Sequence, residues 1–395
     1  MFLKKITFII SIGIIIISCN NKKQSKIVIV KEQVNKSWAL TSFVKVDSLN
    51  PILEPKTDTK FLCPIRNTKV KWEGKDVFNP ATIVKDNKVY MLYRAEDFVG
   101  KHKGTSRLGL AISEDGLHFS RLPNPVLYPE NDKVKKFEWE GGCEDPRIVE
   151  DESGTYYLTY TAWNGDKARL FIATSTDLMS WTKHGSAFKN AYNGKYAKVW
   201  SKAGSILCKL EGNKMIATQI NGKYWMYFGE SNIFLAHSDD LINWTPIERN
   251  LSSSFSQEEL IGHSAEVPDL LPVLKTRKGK FDSSLIEPGP PAIITNEGIL
   301  LIYNSKNSSE YGDSKIPPNT YAAGQALFDK NNPSKVIKRL DTTFFKPDKP
   351  YEIDGQVNQV CFLEGLVYFK NKWFLYYGTA DSKIAVAVMD GKITH

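Results

Sequence analysis

Three well-separated stretches of the chain end a strand-like run in nearly the same seven residues: Ser113-Glu-Asp-Gly-Leu-His-Phe119, Ser175-Thr-Asp-Leu-Met-Ser-Trp181 and Ser238-Asp-Asp-Leu-Ile-Asn-Trp244. A turn kept at three places marks a repeated supersecondary unit, and repetition limits the possible folds more tightly than composition does. Around each turn the unit is the same. An entry marked by Pro or Gly leads into an apolar strand, a short Gly or Asn turn, an aromatic-rich strand, a third strand, and the polar turn to a fourth. The copies read NPATIVKDNKVYMLYRAEDF with RLGLAISEDGLHFSRL, DPRIVEDESGTYYLTYTAW with RLFIATSTDLMSWTKH, and AGSILCKLEGNKMIATQINGKYWMYFGESNIFLAHSDDLINWTPI. A longer, less regular fourth, GPPAIITNEGILLIYNSKN with YAAGQALFD, and a fifth, NQVCFLEGLVYFKNKWFLYYGTADSKIAVAVMD, complete the series.

Five units of about four strands, with almost no helical signal after residue 36, predict an all-β chain folded as a five-bladed β-propeller. The first strand of each blade lines the central channel, so the entries at Asn79, Asp145, Gly204, Gly289 and Asn358 are expected to converge on one funnel. A closed ring needs a latch. Trp38 to Leu53, carrying SFVKV ahead of an Asn-Pro turn, is expected to supply the missing edge strand of the last blade. Within this frame the stretch from Trp139 to Asn164 matters most, because it sets Glu144 and Asp145 in front of a proline at the mouth of a hairpin. Acids beside a Gly-Gly pair can be plain turn residues. The propeller reading instead makes Asp145 a carboxyl at the axial mouth.

Composition bounds the partners. The chain has 395 residues, 42% hydrophobic and 24% charged, which suits a globular protein with a large core. Its 12% aromatic content, with 9 Trp and 17 Tyr, fits stacking against sugars or bases as well as core packing. The net charge of +8 does not indicate nucleic acid, since lysines such as Lys85, Lys88, Lys275, Lys278 and Lys280 are scattered through turns. The six histidines show no ligand spacing, so no metal is expected.

The amino terminus reads as an address. Lys4 and Lys5 precede an apolar run from Ile6 to Ile17, short for a membrane span and suited to a signal peptide. Its Ile-Ser-Cys ending resembles a bacterial lipoprotein signal, apart from Ile16 where leucine is usual. That resemblance implies a leader over residues 1–18 and lipidation of Cys19; a polar tether then runs to residue 36, and the single propeller domain covers 37–395. The expected location is therefore outside the cytoplasm, periplasmic or at the cell surface, with membrane attachment only through the lipid. Cys63, Cys143, Cys208 and Cys361 have no close pair spacing and read as buried free thiols, with one disulfide left open.

The run GCEDPRI, with FNPATI and LYRAED in the first unit, RLGLAISEDGLHF after it, GPPAI in the fourth and YYGTADSKIAVA in the fifth, resembles glycoside hydrolase family 130 over roughly Asn50 to Asp390. The resemblance implies a five-bladed propeller acting on β-linked mannosides, by phosphorolysis or by hydrolysis, with inversion at the anomeric carbon. It implies Asp145 as general acid, and Asn79, Arg94, Arg107, Arg147 and Asp381 as residues contacting sugar or anion at the funnel. On an extended strand Arg147 would point to the same side as Asp145 and lower its pKa, which works against direct proton donation. The family's relay through a hydroxyl of the bound mannose answers that difficulty.

The second catalytic group separates the two reactions. A phosphorylase must hold a dianion, which calls for several Arg, Lys or His donors. The family's phosphorylases commonly read Leu-Ile-Tyr-His-Gly in the fourth unit, where this chain has Leu301-Ile302-Tyr303-Asn304-Ser305. Tyr303 is kept as a substrate-binding residue, and the histidine is gone. Glu230 in YFGES and Glu287 in LIEPGPPAI place carboxyls at blade entries, able to take a proton from water or to serve as turn acids. Lys202 and Arg107 leave a cationic pocket open, with inorganic phosphate then a co-substrate; no other cofactor is expected. The leading expectation is an inverting β-mannosidase acting on β-mannoside oligosaccharides, β-1,2-linked by resemblance. A β-mannoside phosphorylase forming α-mannose 1-phosphate comes second. A non-catalytic glycan-binding propeller comes third, opposed by the intact GCEDPR motif.

Overall fold

The recurrence of the polar turn has a hydrogen-bond cause. In each copy the serine hydroxyl donates to the aspartate two residues on, Ser113 to Asp115 at 3.0 Å, Ser175 to Asp177 at 3.0 Å and Ser238 to Asp240 at 3.1 Å. The same hydroxyl accepts the N–H of Gly116, Leu178 or Leu241 at 2.8, 2.8 and 3.0 Å. The aspartate in turn accepts from the N–H of His118, Ser180 or Asn243 at 2.8, 2.8 and 2.7 Å. Gly116 takes a left-handed φ of 79°, but Leu178 and Leu241 take 70° and 63° with a Cβ. In those two copies the capping bonds outweigh a steric cost of about 1–2 kcal/mol.

These turns join antiparallel strands into groups. The structure, a computed structural model, describes residues 38–250 and 260–391, and they are almost wholly β. All the strands belong to the contact unit that begins at Trp38. The first group is Asp76–Lys85, Lys88–Glu96, Ser106–Ser113 and Ser120–Arg121; the second is Gly142–Glu150, Tyr156–Trp163, Ala168–Ser175 and Thr182–Ser186. In the third, Lys223–Phe228, Ile233–Ser238 and Trp244–Pro246 follow a divided first strand, Ser205–Ile206 and Gln219–Ile220. The fourth also divides its first strand, into Leu285–Pro288 and Ile293–Thr295, both paired with Gly298–Lys306. Tyr321–Asp329 and Asn332–Arg339 complete it. Cys361–Phe369, Lys372–Thr379 and Lys383–Asp390 form the fifth.

The third unit departs from the expected plain succession of strands. Cys208–Glu211 and Lys214–Ala217 form a hairpin inserted into its first strand, closed at the base by Thr218 N–H to Leu207 O at 3.2 Å. The hairpin reaches both neighbours, pairing Ile216 in parallel with Glu150 and Cys208 in parallel with Ile293. It thereby gives partners to backbone edges that a four-strand unit would leave open.

The latch is where the sequence placed it. Val44 and Lys45 pair antiparallel with Val388 and Ala387, adding the edge strand of the fifth group. Lys45 donates to Lys346 O and Asp348 at 2.8 Å each and to the fully buried Glu352 at 2.7 Å. Leu40 exchanges two backbone bonds with the Gln325 amide. Trp72, Trp244 and Trp373 are fully buried, so part of the aromatic content is core. Cys63, Cys143, Cys208 and Cys361 are buried and free. The leader, Cys19 and the tether lie outside the described residues, among which no helix is long and apolar enough to cross a membrane.

Candidate active site

The first strands of groups one and two carry the same distortion. Asn79 and Asp145 both have φ of 47°, each stands before a proline, and the strand register slips at Phe78/Pro80 and at Glu144/Arg147. Proline cannot donate to the ladder, so the strand bulges and re-aims the preceding side chain. Left-handed backbone at a residue with a Cβ costs about 1–3 kcal/mol, a strain that collects at functional sites. Here it turns the two side chains together, with Asn79 Nδ2 donating to Asp145 Oδ1 at 2.9 Å. The first strand of group five slips at the same place, between Leu363 and Gly365, and the slip presents Glu364.

Three cations surround Asp145. Arg94 Nη1 bonds Oδ1 at 2.9 Å, while its other terminal nitrogen reaches Glu96 at 2.7 Å and Glu144 at 2.8 Å. Lys202 Nζ stands 3.3 Å from Asp145 Oδ2 and 3.4 Å from Glu287 Oε1. Arg147 donates to the carbonyls of Asp145, Pro288 and Gly289 at 3.0, 2.8 and 3.1 Å and pairs with Glu364 at 2.9 Å. The bulge therefore sends Arg147 across to groups four and five rather than alongside the Asp145 carboxylate, as an extended strand would have it. Asn79 Oδ1 and Glu364 Oε2 are buried without a partner from the protein; a buried acceptor of this kind calls for an explanation, and sugar hydroxyls are donors that would satisfy it.

Burial and charge act in opposite directions on these carboxyls. Burial pushes Asp145 up, but Lys202, Arg94 and Arg147 together with the Asn79 amide hold it well below the usual range. Burial dominates at its neighbour Glu144, raised to about 7 against the pull of Arg94. Burial likewise raises Glu287 to about 7 in spite of Lys202 and Arg147. Asp381, in a left-handed turn at φ 50°, is raised to about 7 by burial, with Arg94 opposing and Asp145 reinforcing. Glu364 is raised well above the ordinary value by burial in the face of Arg147. Glu230 is half-buried, accepts the Trp200 indole N–H at 2.9 Å, and adds its field to Lys202 and Glu287.

A bulged carboxyl among cations with further carboxyls opposite is the equipment of a glycoside-cleaving site, and the comparisons agree. The family described as beta-1,4-mannooligosaccharide phosphorylase matches residues 44–394. The chain belongs to glycoside hydrolase family 130. It is 31% identical over 353 residues to the 1,2-beta-oligomannan phosphorylase of Thermoanaerobacter sp. (strain X514), covering 87% of this chain and 95% of the relative. A solved glycosyl hydrolase from Bacteroides ovatus is 48% identical with a TM-score of 0.82, covering 89% of this chain and 95% of that one. Another structure, reported under the statement that "The GH130 family of mannoside phosphorylases contains glycoside hydrolases that target beta-1,2 mannosidic linkages in Candida mannan", is 48% identical with a TM-score of 0.83 and the same coverage.

For a family 130 enzyme the expected residues divide cleanly. Asn79, Arg94, Asp145, Arg147, Lys202, Glu287 and Asp381 act on one another in a single centre, with Glu230 beside it. Arg107 does not join them. It is buried against Asp97 at 2.8 Å and over the Phe61 ring, because its strand position faces the core side. Tyr303 is also a core residue: its hydroxyl donates to Asp282 at 2.8 Å and accepts from Arg339 at 3.0 Å. Asn358 serves a local turn, accepting from Gly355 N–H. Glu364 and Trp200 were missed. The signal for Glu364 was a lone acid in the otherwise apolar strand CFLEGLVYF; Trp200 had none, since its partner lies 30 residues away.

Proposed function

We propose that the protein is an inverting β-mannosidase that hydrolyses β-1,2-linked mannosides. Asp145 delivers a proton to the leaving oxygen through a mannose hydroxyl, and Glu287 with Glu230 takes one from the attacking water. The observation that carries this reading is the charge balance of the centre. Arg94, Lys202 and Arg147 are each already engaged by two or more carboxyl groups, so none of the three cations stands free to hold a phosphate dianion. Asn304 supports it from the other side. Its amide donates to Leu363 O at 3.0 Å and accepts from Leu363 N–H at 2.8 Å, which clamps group four to group five and leaves nothing for an anion.

The proton balance follows from the same residues. Glu144 and Asp145 are adjacent and share Arg94, and burial raises Glu144 to about 7, so below that pH the pair carries a proton. That proton goes to the departing sugar. Water adds to the anomeric carbon as the C–O bond breaks, and its own proton passes to the glutamate pair, leaving Glu287 to be deprotonated for the next turnover. We further propose that the five strand groups close as blades of one propeller around this centre, latched by Val44–Lys45. A leader over residues 1–18, cleaved ahead of Cys19, would place the enzyme outside the cytoplasm on a lipid anchor, where a hydrolase serves better than a phosphorylase.

Incubation with mannobioses of defined linkage, with and without phosphate, tests the assignment. Free mannose from the β-1,2 isomer, unchanged by phosphate, is expected. Mannose 1-phosphate appearing only when phosphate is present would replace hydrolysis with phosphorolysis, the activity borne in the names of the curated relatives.

A further inference from the structure

A row of four rings leaves the catalytic centre along one edge of the strand groups. It starts at Trp200, whose indole N–H holds Glu230. His263 lies flat on Trp200, with centroids 3.5 Å and planes 5° apart. Trp163 meets Trp200 edge-on at 5.9 Å, and His102 follows 6.3 Å from Trp163. The register explains why rings from separate loops meet. Trp163 pairs with Gly142, three residues before Asp145, and Gly142 pairs with Ser106, where the loop carrying His102 ends. Trp200 precedes Lys202 by two residues. All four therefore lie at the end of the sheets that carries Asp145.

These rings differ from the core aromatics. Each is half-buried, whereas Trp72, Trp244 and Trp373 are fully enclosed. They are also firmly seated. A Cβ at Gly141 would stand 2.0 Å from the Trp163 ring and one at Gly165 1.9 Å from the His102 ring, so backbone supports both from beneath. Half-exposed, rigid aromatic surface joined to Glu230 suits the C–H face of a pyranose, and the imidazoles at either end of the row add ring nitrogens for its hydroxyls, His263 through Nε2 because its Nδ1 meets Glu266 at 3.0 Å.

We propose that this row binds mannose units beyond the bond that is cut, so that the protein prefers β-mannoside chains longer than a disaccharide. The inference rests on the β-mannoside reading of the centre but not on whether water or phosphate is the nucleophile. A disaccharide fills the carboxylate centre alone. The third and fourth units of a longer chain reach Trp163 and His102.

The test compares β-1,2-mannobiose with β-1,2-mannotetraose, in wild type, Trp163→Ala and His102→Ala, by kcat/KM and by calorimetric binding. Wild type should favour the tetrasaccharide, and Trp163→Ala should lower the tetraose-to-biose ratio about tenfold, the scale of one lost aromatic stacking contact. His102→Ala, a change at the far end of the row, should lower it less. Equal selectivity in wild type, or an equal fall for both substrates in both variants, would show that the rings only pack around Glu230 and would overturn the proposal. Should neither sugar be cleaved under any condition, the catalytic reading fails, and the calorimetric preference for the tetrasaccharide still decides this one.

Discussion

Replacing Glu287 by Gln separates catalysis from stability in opposite directions. Glu287 is buried beside Lys202 and Arg147, and burial lifts its carboxyl from 4.5 to about 7. A carboxyl raised on folding contributes stability that is fully present below the unfolded value and is lost as pH rises through the folded one. Between pH 5 and pH 8 the group therefore removes about 3 kcal/mol, at about 1.4 kcal/mol per pKa unit. Glutamine cannot ionise, so relative to wild type the variant should gain that amount on going from pH 5 to pH 8. With an unfolding entropy of about 2.1 cal/mol/K per residue, the gain is a relative rise in Tm of roughly 4 °C. Lys202 keeps Asp145 at 3.3 Å in the variant, so no cation is orphaned. Glu144 and Asp381, also raised to about 7, keep their shares, and the variant's stability curve is flatter rather than flat. Turnover at pH 8 should fall by ~10²–10⁴ with the base removed. Thermal unfolding across pH 5 to 8, paired with mannobiose turnover, reads both. A Tm difference that does not change with pH would refute the buried, titrating carboxyl, and unchanged turnover would remove Glu287 from the mechanism.

Asp145→Asn should keep the fold, because an amide still accepts from Asn79, while turnover drops by ~10²–10⁴ in a steady-state assay; near-normal turnover would dismiss the acid. Lys45→Met leaves Glu352 buried without its ammonium, so equilibrium unfolding should show a loss of about 3 kcal/mol with kcat/KM unchanged. Asn304→His breaks two backbone bonds to Leu363 and should cost about 2 kcal/mol without creating phosphorolysis. Mannose 1-phosphate formed by that variant would show that the asparagine alone had closed the phosphate site.

Much of the architecture is local and was therefore legible. Ser113, Ser175 and Ser238 with their aspartates close turns through bonds spanning three residues, and alternation around them sets the strands. The Asn-Pro and Asp-Pro pairs are legible as special positions for the same reason, but they read as strand entries, whereas the structure sets them inside the strands Asp76–Lys85 and Gly142–Glu150, where the proline forces a bulge. The latch followed from the need of the last group for an edge partner. What a strand faces is not local. Arg107 and Arg147 are both arginines in first-rank motifs, yet one closes on Asp97 in the core and the other crosses to Glu364, and only packing between groups separates them. Tyr303 kept its motif place while its hydroxyl went to Asp282 and Arg339. The hairpin within Ala203 to Ile247 looked like ordinary strands because its partners, Glu150 and Ile293, lie in other groups. Sequence alone determined the three capped turns, most of the strands and the place of Asp145 before a proline. The tertiary structure decided which charges share that carboxyl's surroundings, because the pKa of a buried group depends on neighbours brought within about 4 Å from strands far apart in the chain.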